Sequence, residues 1–287
     1  MTTDSAPIGV FDSGMGGLTV LRALRRALPG ESFLYLGDTA RLPYGTKSSA
    51  TVQRYATQAA SILVHRGVKA LVVACNTASA VALAALQASF RPLPVLGVVE
   101  PGAAAAAAAS RGEVLVLATE STVSGGAYQR SLLARRPELR IHARPCPLLV
   151  ALAEEGRHDG PLVTLALQQY LHGFAPSGAS ASHPVDTLLL GCTHFPVFRD
   201  ALAALLGATS SAQPARSGQT PPVRVVDSAE TTARALAEQV ALGALRPAPA
   251  DVAPRLQLLA TDGPQRFRRV GRHFLGETIS QVELVDL

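Results

Sequence analysis

Two of the three cysteines in this chain stand in matching surroundings. Residues 70–79 read ALVVACNTAS and residues 187–196 read TLLLGCTHFP, each an apolar run, a cysteine, then hydrogen-bonding side chains. A thiol has an unperturbed pKa of about 8.5, so acid and base forms are both accessible near neutrality with modest tuning. Cys75 and Cys192 fall where a strand should end and a helix begin. Backbone N–H groups and the helix dipole favour a thiolate at such a place. Cys146, in RPCPLLV, reads instead as a small buried apolar residue.

Other polar residues carry less by themselves. DSGMGG (12–17) is a glycine-rich turn without the full GxGxxG spacing or the P-loop Lys-Ser/Thr. Its amides could cradle a phosphate or a carboxylate. Asp12 reads either as a helix cap or as a carboxylate beside a thiol, and PYG (43–45) reads as a turn. His194 has no second histidine or acid at ligand spacing, which leaves a capping or core role and a general acid open. Glu154 and Glu155 read locally as exposed charges at a helix end. Lysine occurs only at Lys47 and Lys69, neither in a setting suited to a Schiff base, so pyridoxal phosphate is not expected.

The elements that must position these residues alternate. Strands are expected at 8–11, 33–37, 70–74, 94–99, 113–118, 139–143, 186–191 and 223–227. Helical patterns separate most of them, at 17–28, 49–66, 77–89, 123–135, 160–173 and 196–206. Strands apolar along their whole length argue for parallel sheets covered on both faces. Residues 175–184 and 208–222 are rich in Ser, Pro and Gly and read as loops.

IGVFDSGMGGLTVLRAL (8–24) is echoed by VLVLATESTVSGGAYQRSL (114–132), and the two cysteine strands echo one another. The expected fold is therefore α/β: two similar lobes with mainly parallel sheets, related by a pseudo-two-fold, with the active-site cleft between them. Residues 1–98 plus 208–287 are assigned to the first lobe and 99–207 to the second. Ligands of such sheets bind beyond the carboxyl ends of strands, so both thiols should share one site.

Composition excludes several classes. The net charge is +5, but the basic residues are scattered over helical patterns without interleaved aromatics, which argues against nucleic acid as a primary partner. No run of about 18 apolar residues fits a membrane span, and the N-terminus lacks the pattern of a signal peptide. An odd number of cysteines without CxxC spacing points away from disulfides and structural zinc, toward a reducing cytoplasm.

Taken in order, GVFDSGMGGLTVL, GDTARLPYGTKS (37–48), ACNTAS, GCTHFP, VVDSAETTA (225–233) and the tail LLATDGPQRFRRVGRHFLG (258–276) resemble the cofactor-independent aspartate/glutamate racemases, in particular those acting on glutamate. The resemblance implies an isomerase that inverts glutamate without a cofactor, for peptidoglycan synthesis and cell shape, and a homodimer as one assembly. It implies that Cys75 is the base for D-glutamate and Cys192 the base for L-glutamate. Asp12 and His194 would each assist the nearer thiol, and Glu154 is mapped to a further assisting role. Substrate contacts are implied at Asp12, Ser13, Pro43, Tyr44, Gly45, Asn76, Thr77, Thr193 and His194, with Thr119 and Thr122 from the echoing loop. Phe195 and Ala118 depart from the pattern, where Tyr and Gly are more usual.

The chemistry suits those residues. Inverting an α-carbon requires a proton taken from one face and another supplied to the opposite face. Two nearby thiols discourage double ionisation, which favours a thiolate–thiol pair. Three rivals remain at this stage: inversion of aspartate, a binding protein using the basic surface, and a redox dithiol. The last would need Cα atoms within about 7 Å.

Overall fold

The computed structural model describes residues 3–174, 185–206 and 222–287. Among the described residues, ten strands form two sheets, with every pairing parallel. In the first sheet, β1 (Ile8–Asp12) lies between β2 (Phe33–Gly37) and β3 (Ala70–Val73), and β4 (Val95–Gly97) follows β3. In the second, β5 (Glu113–Ala118) lies between β6 (Arg140–Pro145) and β7 (Thr187–Gly191), with β8 (Arg224–Asp227) beyond β7. Each set has the same spatial order, second-first-third-fourth, as the internal echo predicts. The first sheet is then extended beyond β2 by β9 (Leu256–Ala260) and β10 (Glu283–Leu284).

The central strands β1, β2, β3, β5 and β7 are buried at every position, because helices cover both faces. This is why they read as continuous apolar runs rather than alternating ones. The helices are α1 (Leu18–Ala27), α2 (Ser49–His65), α3 (Asn76–Ser89), α4 (Val99–Ala109), α5 (Glu120–Ser124), α6 (Ala127–Arg135), α7 (Pro147–Glu154), α8 (Pro161–Leu171), α9 (Arg199–Leu206), α10 (Ser228–Ala241) and α11 (Pro264–Leu275). The alanine run forms α4, which packs against α6 and α10 through small side chains. The helical pattern expected over 123–135 is two helices, broken where Gly126 takes a left-handed conformation at φ 63°. No helix among the described residues is long and apolar enough to cross a membrane.

One boundary needs correction. The expected first lobe took in 208–287, yet Arg224–Asp227 pair with Thr187–Leu190 in the second sheet. Val223 and Val226 are buried by that pairing, so the second unit continues past residue 207. The loop expected at 175–184, and that at 208–222 except Pro222, lie outside the described residues. The strands 256–260 and 283–284 and the helices 99–109 and 228–241 are additional to the expected set, whereas the helices 147–154 and 264–275 agree with the helix end expected at Glu154–Glu155 and the helical pattern of the basic stretch near the C-terminus.

At the amino ends of the first sheet, Lys69 and Glu31 form a buried ion pair at 2.7 Å. Lys69 Nζ also donates to the carbonyls of Asp4 and Arg246, and Glu31 accepts from Ala248 N–H. The pair thus ties the C-terminal return of the chain to the bottom of the sheet.

Candidate active site

Both cysteines follow the third strand of their sheet and both line one cavity of about 230 Å³. They are free thiols, each buried. Ser13, Pro43, Tyr44, Gly45, Asn76, Thr77, Thr119, Glu154, Thr193 and His194 share the lining. Asp12 and Thr122 stand behind it, 0% and 1% exposed.

Around Cys75 the groups come from the first sheet. Cys75 is the N-cap of α3, and its sulfur accepts from Ala78 N–H at 3.4 Å and donates to Ser13 Oγ at 3.4 Å. Burial and the nearby Asp12 carboxylate push its thiol up to about 12, against the help of those two hydrogen bonds. Asp12 closes β1, and its Oδ2 accepts from Gly14 N–H at 2.9 Å. Burial raises its pKa, while the His194 charge and loop amides oppose the rise. Tyr35 fixes the same loop by donating to the Gly14 carbonyl at 3.0 Å. The glycines there are dictated by contact: a Cβ on Gly17 would lie 2.4 Å from Asp12 Cβ, and one on Gly16 would lie 2.5 Å from His194 Nδ1.

Around Cys192 the partners are ionisable. His194 Nδ1 lies 3.7 Å from the sulfur, and Nε2 lies 3.2 Å from Glu154 Oε1. Burial works against a charged imidazole, but hydrogen bonds with Cys192 and Glu154 carry His194 up to about 10. Glu154 Oε2 accepts from Arg266 Nη2 at 3.0 Å. Burial would raise the Glu154 carboxyl, yet His194 and Arg266 together hold it below the usual range.

The cavity walls are braced by side chains rather than by water-exposed loops. Thr77, Thr119 and Thr122 form a hydroxyl triangle at 2.9–3.3 Å that joins α3 to the start of α5. Asn76 Nδ2 donates to Tyr128 at 2.7 Å, and its Oδ1 is buried without a protein partner. Tyr44 bonds the buried Asp38, which also accepts from Arg41 and Thr261. A Cβ on Gly45 would meet Thr119 at 2.8 Å, so the PYG turn can lie against the second unit only as glycine.

Sequence reasoning omitted Leu42, Thr46, Glu120, Pro147, Val150 and Ala151 from the lining. A signal existed for part of this set. Positions 147, 150, 151 and 154 follow the spacing of one helix face. That spacing also turns Glu154 to the cavity and leaves Glu155 exposed. Cys146 is wholly buried away from the cavity, in keeping with its apolar reading.

The sequence profile of the Asp/Glu/hydantoin racemase family matches residues 8–236. A glutamate racemase of Geobacter metallireducens is 46% identical, over 98% of this chain and 96% of its own. The crystal structure of glutamate racemase from Francisella tularensis subsp. tularensis in complex with D-glutamate has a TM-score of 0.85 at 34% identity, with 98% of each chain covered. Glutamate racemase from Thermus thermophilus in complex with beta-chloro-D-alanine has a TM-score of 0.83 at 42% identity, covering 100% of this chain and 99% of its own.

Proposed function

The chain belongs to the Asp/Glu/hydantoin racemase family, and we propose that it interconverts L- and D-glutamate by passing protons between two thiols and Cα. The observation that carries this reading is the pair Cys75 and Cys192, free, buried and lining one cavity from two similar sheets. In the same reading the reaction runs in the cytoplasm and its D-glutamate supplies peptidoglycan synthesis.

The two sulfurs are prepared differently. Cys75, pushed up to about 12 by burial, holds its proton at neutral pH. Cys192 faces the His194 imidazole, whose pKa, against the pull of burial, is raised to about 10 by hydrogen bonds with Cys192 and Glu154. In the direction from L-glutamate, Cys192 takes the Cα proton from one face and Cys75 delivers its own to the other. D-glutamate requires the reverse, with Cys75 as base and Cys192 as acid.

The carbanion between those events has to be stabilised without bulk water. Ser13, Asn76, Thr77, Thr119 and Thr193 offer short donors to the two carboxylates, and α3 presents its N-terminus to the cavity. Such fixed dipoles act strongly in a dry site.

The test is purified protein with L-glutamate in D₂O and a chelator, followed by circular dichroism and proton NMR. Inversion with deuterium uptake at Cα is expected. Cys75→Ala and Cys192→Ala should each lower kcat/KM by about 10²–10⁴-fold, the usual range for a lost acid or base. Inversion of aspartate alone would move the substrate and keep the chemistry. Silence with both would end the racemase reading.

A further inference from the structure

We propose that Arg266, on the C-terminal helix α11, is a positioning residue for the Cys192 half of the site, acting through Glu154 and His194. The proposal rests on the racemase reading above and extends it to a residue outside the cavity lining.

The geometry is a chain of contacts. Arg266 Nη2 lies 3.0 Å from Glu154 Oε2, Glu154 Oε1 lies 3.2 Å from His194 Nε2, and His194 Nδ1 lies 3.7 Å from Cys192 Sγ. Both carboxylate oxygens of Glu154 are therefore occupied, which fixes the plane of the carboxylate and the direction in which it faces the imidazole. A second contact from the same helix holds the ring. Phe274 meets His194 edge to face, with centroids 5.2 Å apart. Arg266 and Phe274 are eight residues apart, roughly 12 Å along a helix, so α11 grips the His194–Glu154 pair from both of its ends.

The grip crosses between the two units. β9 and α11 follow one another, and β9 pairs in the first sheet, whereas Glu154 and His194 belong to the segment that carries β6 and β7. Helix α11 is pressed against α1 so closely that a Cβ on Gly271 would lie 2.8 Å from Leu18 Cδ1. The Arg266 side chain is 45% exposed, and an exposed ion pair contributes little stability in itself. Its consequence lies instead in the orientation of Glu154, which is 13% exposed. On the other side, Cys75 has the Asp12 carboxylate nearby, but among the described residues its hydrogen-bond partners are a serine hydroxyl and a backbone amide, with no arginine-held carboxylate–imidazole chain.

The enantiomers have equal free energy in water, so the equilibrium constant is one. Any variant must then change kcat/KM by the same factor for both substrates, and the imbalance has to be read on the thiols themselves. Arg266→Gln and Arg266→Lys are compared with wild type by timed alkylation with iodoacetamide, with each cysteine quantified by mass spectrometry. For Arg266→Gln, Cys192 alkylation is expected to slow several-fold while that of Cys75 keeps its wild-type rate. Its kcat/KM should fall by about tenfold with either enantiomer, short of the ~10²-fold of a misplaced reacting group. Arg266→Lys should restore most of both.

An unchanged Cys192-to-Cys75 ratio in Arg266→Gln would overturn the proposal. So would a parallel change at both thiols, which would mean general loosening of the fold. If wild type proves silent toward glutamate, the functional reading fails, and the alkylation ratio still judges Arg266 separately.

Discussion

His194 is the residue at which the two sides of the cavity differ most. Its pKa, opposed by burial but raised by Cys192 and Glu154, stands at about 10 against an ordinary 6.5. A group raised in this way adds stability in full below its unfolded value, and that stability is lost as pH climbs through the folded value. Glu154→Gln removes one of the two partners that raise it. The difference in Tm between wild type and Glu154→Gln should therefore be widest near pH 6 and narrow toward pH 10. A difference that stays constant across that range in scanning calorimetry would mean that His194 is neutral in the folded protein. Cys75 offers a contrast, since it has neutral hydrogen-bond partners and keeps its proton.

At the scale of elements, the glycine-rich loop between β1 and α1 decides how closely the two units approach. Gly16 faces Thr193 and His194 so tightly that a Cβ would lie 2.5 Å from each. Gly16→Ala is expected to lower kcat/KM by about 10²-fold through displaced catalytic groups and stability by about 1–3 kcal/mol through overpacking. Assay and urea denaturation measure the two separately, and near wild-type activity would show that the loop can yield. The strands, and the placing of both cysteines at one cavity, were legible because fully apolar runs such as ALVV and TLLLG end abruptly in polar residues. Helix α4 was not, since a run of alanines carries no periodicity to mark a buried face. Strand β9 was not either, because its pairing with β2 joins segments more than 200 residues apart, and local pattern does not record such pairing. Glu154 could have been separated from Glu155 by the spacing of Pro147, Val150 and Ala151, a pattern visible in the sequence.

At the scale of the whole molecule, stability and chemistry occupy opposite ends of the sheets. The Glu31–Lys69 pair lies at the amino ends of the strands, and the cavity at their carboxyl ends. Lys69→Ala would leave a buried carboxylate unpaired, at a cost of about 3–5 kcal/mol. It should lower Tm sharply while leaving kcat/KM at low temperature close to wild type, and a large loss of activity in the folded variant would show that the sheet transmits strain along its length. The burial of Cys75 and Cys192, each only 4% exposed, has a consequence in time. In the two-thiol reading proposed above, a proton taken from Cα would stay on its sulfur until the site could exchange it, so the chain would leave each turnover in a form fitted only to the opposite direction. It would carry a memory of the enantiomer it last consumed. At high substrate concentration the erasing of that memory would become the slow step, and an isotopically labelled enantiomer added at equilibrium would be driven transiently away from its racemic distribution.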